Sequence, residues 1–370
     1  MRSIQSSPNV RIGILGGGQL GRMLGLAGIP LGCEFHFLDP VASAPARQVG
    51  VHTVAAYEDT AALDAFSASV DSVTYEFENV PATSVEYLSK KGIPVFPSAA
   101  ALHYSQDRLT EKTFFQSLGI PTPAFRALDS RDDLMNAADT LGLPLVLKTR
   151  RQGYDDKGQA IIRDVSDLPS AWERLKHTPL IAEQFIPFTR EVSLLAVRSV
   201  NGETAFYPLA QNTHENGILR LSKAPANVSD ILKDKAFSYG TALLDALSYV
   251  GVLALELCEY EGELLAIEMA PRVHNSGHWT IEGSETSQFE NHLRAMLGLP
   301  LGSTDMAVPA ACMINLIGTL PDISQILSIP HAHVHLYGKE PRAGRKLGHV
   351  TVAGVSASCD DALKAIKQCL

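Results

Sequence analysis

Basic charge, cysteine and long apolar runs are all scarce in this sequence. Lysine and arginine number 31 against 40 aspartates and glutamates, a formal charge of −9. That balance argues against a nucleic-acid surface or a general affinity for anionic membranes. Any phosphate chemistry must therefore come from local groupings of Lys, Arg and backbone N–H groups. The five cysteines (Cys33, Cys258, Cys312, Cys359, Cys369) are scattered, with no C-x-x-C and no metal-ligand spacing. This fits a reducing, cytoplasmic setting, with Cys258 a small buried residue of a strand. No apolar run approaches the ~20 residues that span a bilayer. The opening MRSIQSSPN is polar and carries no signal-peptide core. Internal repeats and low-complexity tracts are absent from the sequence.

What is present is the composition of a globular enzyme, 45% hydrophobic and 19% charged over 370 residues, enough for two or three domains. The chemistry concentrates in Gly251–Thr280, GVLALELCEYEGELLAIEMAPRVHNSGHWT. Two apolar runs each carry one acid, Glu256 in VLALEL and Glu268 in LLAIEM, and Gly262 lies between them. The pattern predicts an antiparallel hairpin. Pairing register decides whether the two acids face each other. If they do, they share a buried site and need a cation, and oxygen-only ligands point to magnesium rather than zinc. The plainer alternative is an amphipathic hairpin with two solvated acids. A cationic, polar loop follows directly, containing Arg272, His274 and Asn275.

The N-terminal part alternates strands and helices. VRIGIL (10–15) predicts a buried strand, GGGQLG a tight turn into a helix, and CEFHFLD a second strand ending in Asp39. This is the G-x-G-x-x-G pattern with an acid at the next strand end. A glycine turn at a helix N-terminus suits any phosphate, so nicotinamide, flavin and other ligands stay open. SVTYEF (72–77) reads as a strand with Glu76, Glu78 and Asn79 at its C-terminal end. There Glu76 could hold ribose hydroxyls or a cationic amine, or could cap a helix. IPVFPS (93–98) reads as a further short strand. Together these make the first ~100 residues one doubly wound α/β domain.

From Ser105 an amphipathic helix is predicted, carrying Arg108 and Lys112 and stopped at Gly119. LPLVLKTRRQGYDDKGQAIIRD (143–164) predicts two strands around a glycine-containing, charged loop, with Lys148 ending the first. A lysine at the end of an apolar strand beside such a loop suits phosphate. LIAEQFIP (180–187) predicts a strand whose backbone could meet an adenine edge, and REVSLLAVRSV a strand opened by Glu191. His214 sits among polar residues, where a structural role is equally open. Helices are predicted over 228–249 and 284–300, and CMINLIG (312–318) reads as a strand. Near the C-terminus Lys339, Arg342, Arg345 and Lys346 crowd one Gly/Pro turn between two strands, which suggests a site for a phosphate monoester.

The order of strand-end Lys148, glycine loop, EQFI turn, Glu191, His214, Glu256 and Glu268 resembles the ATP-grasp superfamily. GGGQLGRML, FLDP, TYEFENVP, GYDDKGQ, EQFIPFTREVSL, FYPLAQNTHENGILR, EMAPRVHNSGHWT, MINLIG and HLYGKEPRAGRKLGH narrow the resemblance to the N5-carboxyaminoimidazole ribonucleotide synthetases. The resemblance spans Gly16 to His349. It implies an α/β and α+β architecture: an ATP-grasp fold behind an N-terminal doubly wound domain (1–105), an ATP-grasp domain (106–298, with a lid subdomain about 120–203) and a small β-rich C-terminal domain (299–370). It implies carboxylation of the amine of aminoimidazole ribonucleotide with ATP and bicarbonate in purine biosynthesis, magnesium as cofactor, and a homodimer in the cytoplasm. A sister ATP-grasp enzyme that formylates glycinamide ribonucleotide with formate is the alternative, disfavoured by HNSGHWT and KEPRAGRK.

The same resemblance assigns residues. ATP contacts fall on Arg108, Lys148, the loop Gly153, Tyr154, Asp155, Asp156, Lys157, Gly158 and Gln159, then Glu183, Gln184, Phe185, Ile186, Glu191, His214, Ile267 and Glu268. Magnesium falls on Glu256 and Glu268. The ribonucleotide substrate falls on Gln19, Leu20, Glu76, Tyr154, Asp155, Arg272, His274, Asn275, Lys339, Arg345 and Lys346, so the N-terminal glycine turn would serve it rather than NAD. Asp155, Lys148 and Arg272 are implied as catalytic, Asp155 as the base for the amine proton. The loop departs from the family's Gly-Gly-Tyr-Asp-Gly-Lys-Gly, because Gln152 and Asp156 replace two glycines.

Overall fold

The structure, a computed structural model, describes residues 9–151 and 158–369. Val10–Leu15 (β1), Cys33–Leu38 (β2), Val51–Thr53 (β3) and Ser72–Tyr75 (β4) form a parallel sheet ordered β3-β2-β1-β4. Its central strands are near-continuous apolar runs because helices cover both faces, and Ile12, Ile14, Phe37 and Val73 are fully buried. Two expectations need correction. The segment 93–98 is no strand but a single bridge from Val95 to Val73, because Pro94 and Pro97 have no N–H to extend a ladder. β4 stops at Tyr75, which places Glu76 and Glu78 in the turn beyond it.

The helix predicted from Ser105 is two helices, Ala99–Ser105 and Arg108–Ser117. Asp107 separates them. Its backbone is extended and its carboxylate accepts from the N–H groups of Leu109 and Thr110 (3.1 and 3.2 Å), an N-cap that starts the second helix. Phe125–Leu128 (β5), Leu145–Thr149 (β6), Gln159–Ile162 (β7) and Leu180–Gln184 (β8) make a small antiparallel sheet in the order β5-β8-β6-β7. The helices Arg131–Leu141 and Leu168–Leu175 close its core, in which Leu134, Leu145, Leu147 and Ile162 are fully buried.

The remaining strands are Arg190–Arg198 (β9), Thr204–Phe206 (β10), Ala210–Glu215 (β11), Ile218–Ala224 (β12), Gly251–Tyr260 (β13), Glu263–Ala270 (β14), Ala310–Ile317 (β15), Ala332–Leu336 (β16) and Lys346–Gly354 (β17). They form one sheet, β14-β13-β9-β11-β12-β15-β17-β16, with β10 paired to β9. Because β12 pairs with β15, hydrogen bonding runs unbroken past residue 298, where the sequence suggests a domain boundary. The N-terminal sheet docks on the large sheet through one apolar cluster, in which Ile14 and Phe35 join Val252, Trp279 and Phe289. A polar bridge reinforces the contact: His292 accepts from Val252 N at Nδ1 (3.0 Å) and meets Thr74 Oγ1 at Nε2 (2.9 Å). Among the described residues no helix is long and apolar enough to cross a membrane.

Candidate active site

The hairpin of β13 and β14 sets the centre. Its turn is Glu261-Gly262, both at positive φ (51° and 79°), the two-residue geometry that suits a twisted hairpin. From that turn the ladder pairs Tyr260 with Glu263 and Leu257 with Ala266. Continued unbroken, it would put Glu256 opposite Ile267 and turn Glu268 to the other face. A register shift between Glu256 and Leu257 instead brings Glu256 opposite Glu268. Burial and the charge of Glu268 push the Glu256 carboxyl up to about 7, with His214 opposing. Arg108 donates to Glu268 Oε2 at 3.1 Å, and His274 Nε2 lies 3.6 Å from Glu256 Oε1. Burial, aided by Arg272 and Lys346, holds His274 well below its usual range, so its imidazole is neutral.

Two facing acids, one of them driven toward protonation by the other, fit a shared hard cation. Among the described residues no group of three or more His, Cys, Asp or Glu side chains could hold a metal. The pair thus matches magnesium's habit of taking one or two carboxylates and completing its shell with phosphate and water.

On one side of the acids lie the groups expected at the nucleotide. Lys148, one residue before the end of β6, donates to Glu183 Oε2 of β8 at 2.9 Å, and Lys112 reaches the same oxygen at 3.3 Å. Burial opposes ionisation of Glu183, but the two lysines outweigh it and hold its carboxyl at about 2. Glu191 opens β9, and its Oε2 lies 2.6 Å from His214 Nδ1. A register shift between Thr213 and His214 places that imidazole over Glu191. Burial disfavours the imidazolium, yet the bond and charge of Glu191 raise its pKa overall. Gln184, Phe185 and Ile186 lead out of β8, where Gln184 N donates to Ala124 O and Phe185 N to Pro144 O. Gly158 precedes β7, which Gln159 begins, and Gln159 pairs with Lys148. Gly153, Tyr154, Asp155, Asp156 and Lys157 lie outside the described residues.

On the other side is the N-terminal glycine turn. Gly16 has φ of 105°, and a Cβ there would sit 2.6 Å from Glu76 Cγ. Glu76 accepts from Gly18 N (2.5 Å) and Gly21 N (2.8 Å), while Asp39 accepts from Gly17 N (2.8 Å). Both Glu76 and the fingerprint acid Asp39 therefore bind the turn itself. Glu76 is realised as the helix cap, although each carboxylate oxygen keeps a further lone pair for a hydroxyl. Among the described residues the N–H groups of Gln19 and Leu20, at the first two helical positions, have no carboxylate partner. The Leu20 side chain is buried in the core, so only its backbone could face a ligand.

Lys339 donates to Gln19 Oε1 across the gap between the N-terminal and C-terminal parts of the chain. Arg345 NH1 donates to Glu340 O, and Lys346 opens β17. Arg272 Nε donates to Glu78 Oε2 at 2.5 Å. Asn275 exchanges amide hydrogen bonds with Asn315 (3.0 and 2.7 Å). Electrostatics joins the two sides: Lys346 acts on both Glu256 and His274, and Arg272 feels both Glu76 and Glu268.

Four residues of this constellation have no site role in the sequence reading, although Glu78 and Lys112 are noted there by position. Glu78 holds Arg272. Asp107, besides capping a helix, takes Arg150 through both oxygens (3.0 and 2.9 Å) and Arg151 at 3.2 Å. Glu111 and Lys112 follow Arg108 at i+3 and i+4, a spacing that puts all three on one helical face and was readable in RLTEK.

Comparison with known proteins agrees with this geometry. Residues 10–106 match the ribonucleotide synthetase preATP-grasp domain, 113–289 the ATP-grasp domain, and 311–361 the phosphoribosylaminoimidazole carboxylase C-terminal domain. The N5-carboxyaminoimidazole ribonucleotide synthase of Pseudomonas aeruginosa is 52% identical over 343 residues, 93% of this chain and 94% of that protein. That of Brucella melitensis is 47% identical over 350 residues, 93% and 96% of the two chains. The crystal structure of the Thermus thermophilus synthetase superposes with a TM-score of 0.93 at 52% identity, covering 97% of this chain and 98% of that one. The Aspergillus clavatus enzyme, in complex with ADP and 5-aminoimidazole ribonucleotide, gives 0.89 at 32% identity, covering 98% and 99%. Three domain matches in the right order and close relatives along nearly the whole length lead to one conclusion: the chain belongs to the N5-carboxyaminoimidazole ribonucleotide synthase family of ATP-grasp ligases.

Proposed function

We propose that this site joins bicarbonate to the exocyclic amine of 5-aminoimidazole ribonucleotide at the expense of ATP, giving N5-carboxyaminoimidazole ribonucleotide, ADP and phosphate. Family membership carries the ATP-dependent carboxylation and its place in purine biosynthesis. The observation that carries the chemistry is the facing pair Glu256 and Glu268, with Arg108 and Lys148 on one side and Arg272 and His274 on the other. Bicarbonate is a poor electrophile. Its oxygen attacks the γ-phosphorus, the bond to the β-phosphate oxygen breaks, and carboxyphosphate and ADP result. The amine then attacks the carboxyl carbon, or CO2 released from it, as phosphate leaves and the amine loses a proton.

Glu256 and Glu268 would hold magnesium, which when bound neutralises charge on the transferring phosphoryl group. Lys148 adds charge to the same end, and its tie to Glu183 fixes where the ammonium points. Arg108 and His214, each braced by a carboxylate, suit the nucleotide. Lys339, Arg345 and Lys346 suit the 5′-phosphate, with Gln19, Leu20 and Glu76 at the ribose and Arg272, His274 and Asn275 nearer the ring. Asp155 is the proposed base, and Tyr154 its neighbour at the substrate. Division at about residues 105 and 298, a cytoplasmic location and a homodimer complete the reading, all supported by the family resemblance. The deciding experiment is ADP release in bicarbonate buffer with and without the ribonucleotide. Release that ignores the ribonucleotide would defeat the assignment.

A further inference from the structure

The helix Arg108–Ser117 grips three consecutive residues of β14 with three side chains of one face. Lys112 Nζ donates to Ile267 O (3.4 Å), Arg108 to Glu268 Oε2 (3.1 Å), and Glu111 Oε1 accepts from Met269 N (2.7 Å). Lys112 does more than its neighbours. Its ammonium also lies 3.3 Å from Glu183 Oε2, the oxygen that takes Lys148 at 2.9 Å. Glu183 belongs to the small sheet and Ile267 to the large one, so a single ammonium touches both walls of the proposed nucleotide cleft. Lys112 is 1% exposed and its head ends on protein atoms.

We propose that Lys112 is a positioning residue for the nucleotide: it shares the charge of Glu183, which keeps Lys148 from being fully neutralised, and it ties β8 to β14. The inference rests on the ATP site proposed above. Two lysines on one carboxylate oxygen leave a net positive charge, and Lys148, the more exposed of the two, presents it to the cleft. Without Lys112, Lys148 would be the one ammonium still in contact with Glu183 among the described residues, with Arg108 acting on it from farther off, and the pair would close on itself. An unpaired buried carboxylate is costly, so Lys148 would be drawn toward Glu183 and away from phosphate.

The test uses Lys112→Met in the full chain, which keeps length and removes the charge. ADP binding is measured by calorimetry in EDTA, without metal, alongside KM for ATP and for the ribonucleotide. ADP affinity should fall about tenfold, the usual scale of coupling within one ion-pair network, and KM for ATP should rise in step. KM for the ribonucleotide should stay within about twofold, since among the described residues the contacts of Lys112 are with Glu183 and Ile267, on the nucleotide side. The double variant Lys112→Met/Glu183→Gln removes the unshared charge and should bind ADP more tightly than Lys112→Met alone. It also serves if the single variant does not fold. Unchanged ADP affinity, equal losses for both substrates, or a double variant no tighter than the single one would overturn the proposal. Wild-type protein that fails to bind ADP would instead defeat the ATP-site reading on which it rests.

Discussion

Lys339 offers a direct test of the phosphate end of the site. Burial pushes its ammonium down to about 8; Glu76 opposes the shift, and Arg345 and Lys346 add to it. Relative to an ordinary lysine at 10.5, that is a cost of about 3 kcal/mol for keeping the charge where the fold puts it. Apart from the charge of Glu76, the Lys339 ammonium meets among the described residues the Gln19 carbonyl, a neutral acceptor, and the Tyr337 ring at 6.0 Å. A bound phosphate would supply the missing counter-charge. Its second ionisation, near 6, is complete well before pH 8, so the ligand's own titration does not intrude. If the substrate needs the charged lysine, its KM should be flat up to about pH 8 and then rise roughly tenfold for the next pH unit as the ammonium is lost. KM for ATP, bound elsewhere, is the internal control. Lys339→Arg keeps a charge that does not titrate in this range, so its profile should stay flat. Stability gives a second sign. Between about 8 and 10.5 the unfolded chain holds the proton that the folded chain has lost, so the Lys339 contribution makes the fold more stable as pH rises through that window. Parallel KM profiles in wild type and Lys339→Arg, or an equal rise for ATP, would refute the reasoning.

Three further outcomes are expected. Glu268→Gln should abolish turnover while circular dichroism and the urea midpoint stay close to wild type, and near-normal activity at ordinary magnesium would remove Glu268 from the metal site. Asp155→Asn should cost roughly 10²–10⁴-fold in kcat if that residue is the base, whereas Asp156→Gly should be nearly silent; the reverse order would sink the assignment. His292, neutral because its Nδ1 accepts from Val252, is pushed down to about 4 by burial. Its share of the stability, about 3 kcal/mol, should be lost as pH falls from about 6.5 toward 4, because only the unfolded chain takes up that proton in the window. Urea midpoints of wild type and His292→Gln should therefore diverge in their pH dependence, and identical slopes would contradict it.

Much of the fold was legible because its elements are locally consistent. β1 occupies the run VRIGIL with no residue gained or lost, and the glycines after it leave no other continuation than a turn. The acids of the hairpin, the strand-end lysine and the cationic turn were all visible as residue types. What one sequence could not show were partners distant along the chain. Glu76 lies 58 residues from Gly18, and nothing local distinguishes a carboxylate that caps a helix from one that awaits a ribose. Lys112 looks like a surface lysine of an amphipathic helix until β8 and β14 close over it. The prolines of 93–98 are visible in the sequence, and without an N–H to extend a ladder they outweigh the apolar pattern around them.

Register was the deeper obstacle, and the large sheet shows why. Three shifts interrupt its ladders: between Glu256 and Leu257, between Thr213 and His214, and between Leu316 and Ile317. Each lies at a residue proposed for the site, since the first aligns Glu256 with Glu268, the second turns His214, and the third sets Lys346 opposite Ile317. A side chain in a regular strand can point only to one face or the other, and one extra residue exchanges the two. The functional constellation thus depends on irregularities that no periodicity reveals. In a perfect ladder Glu256 would face Ile267, Arg108 would lose its carboxylate on that face, and the same residues, in the same strands, would make no cation site.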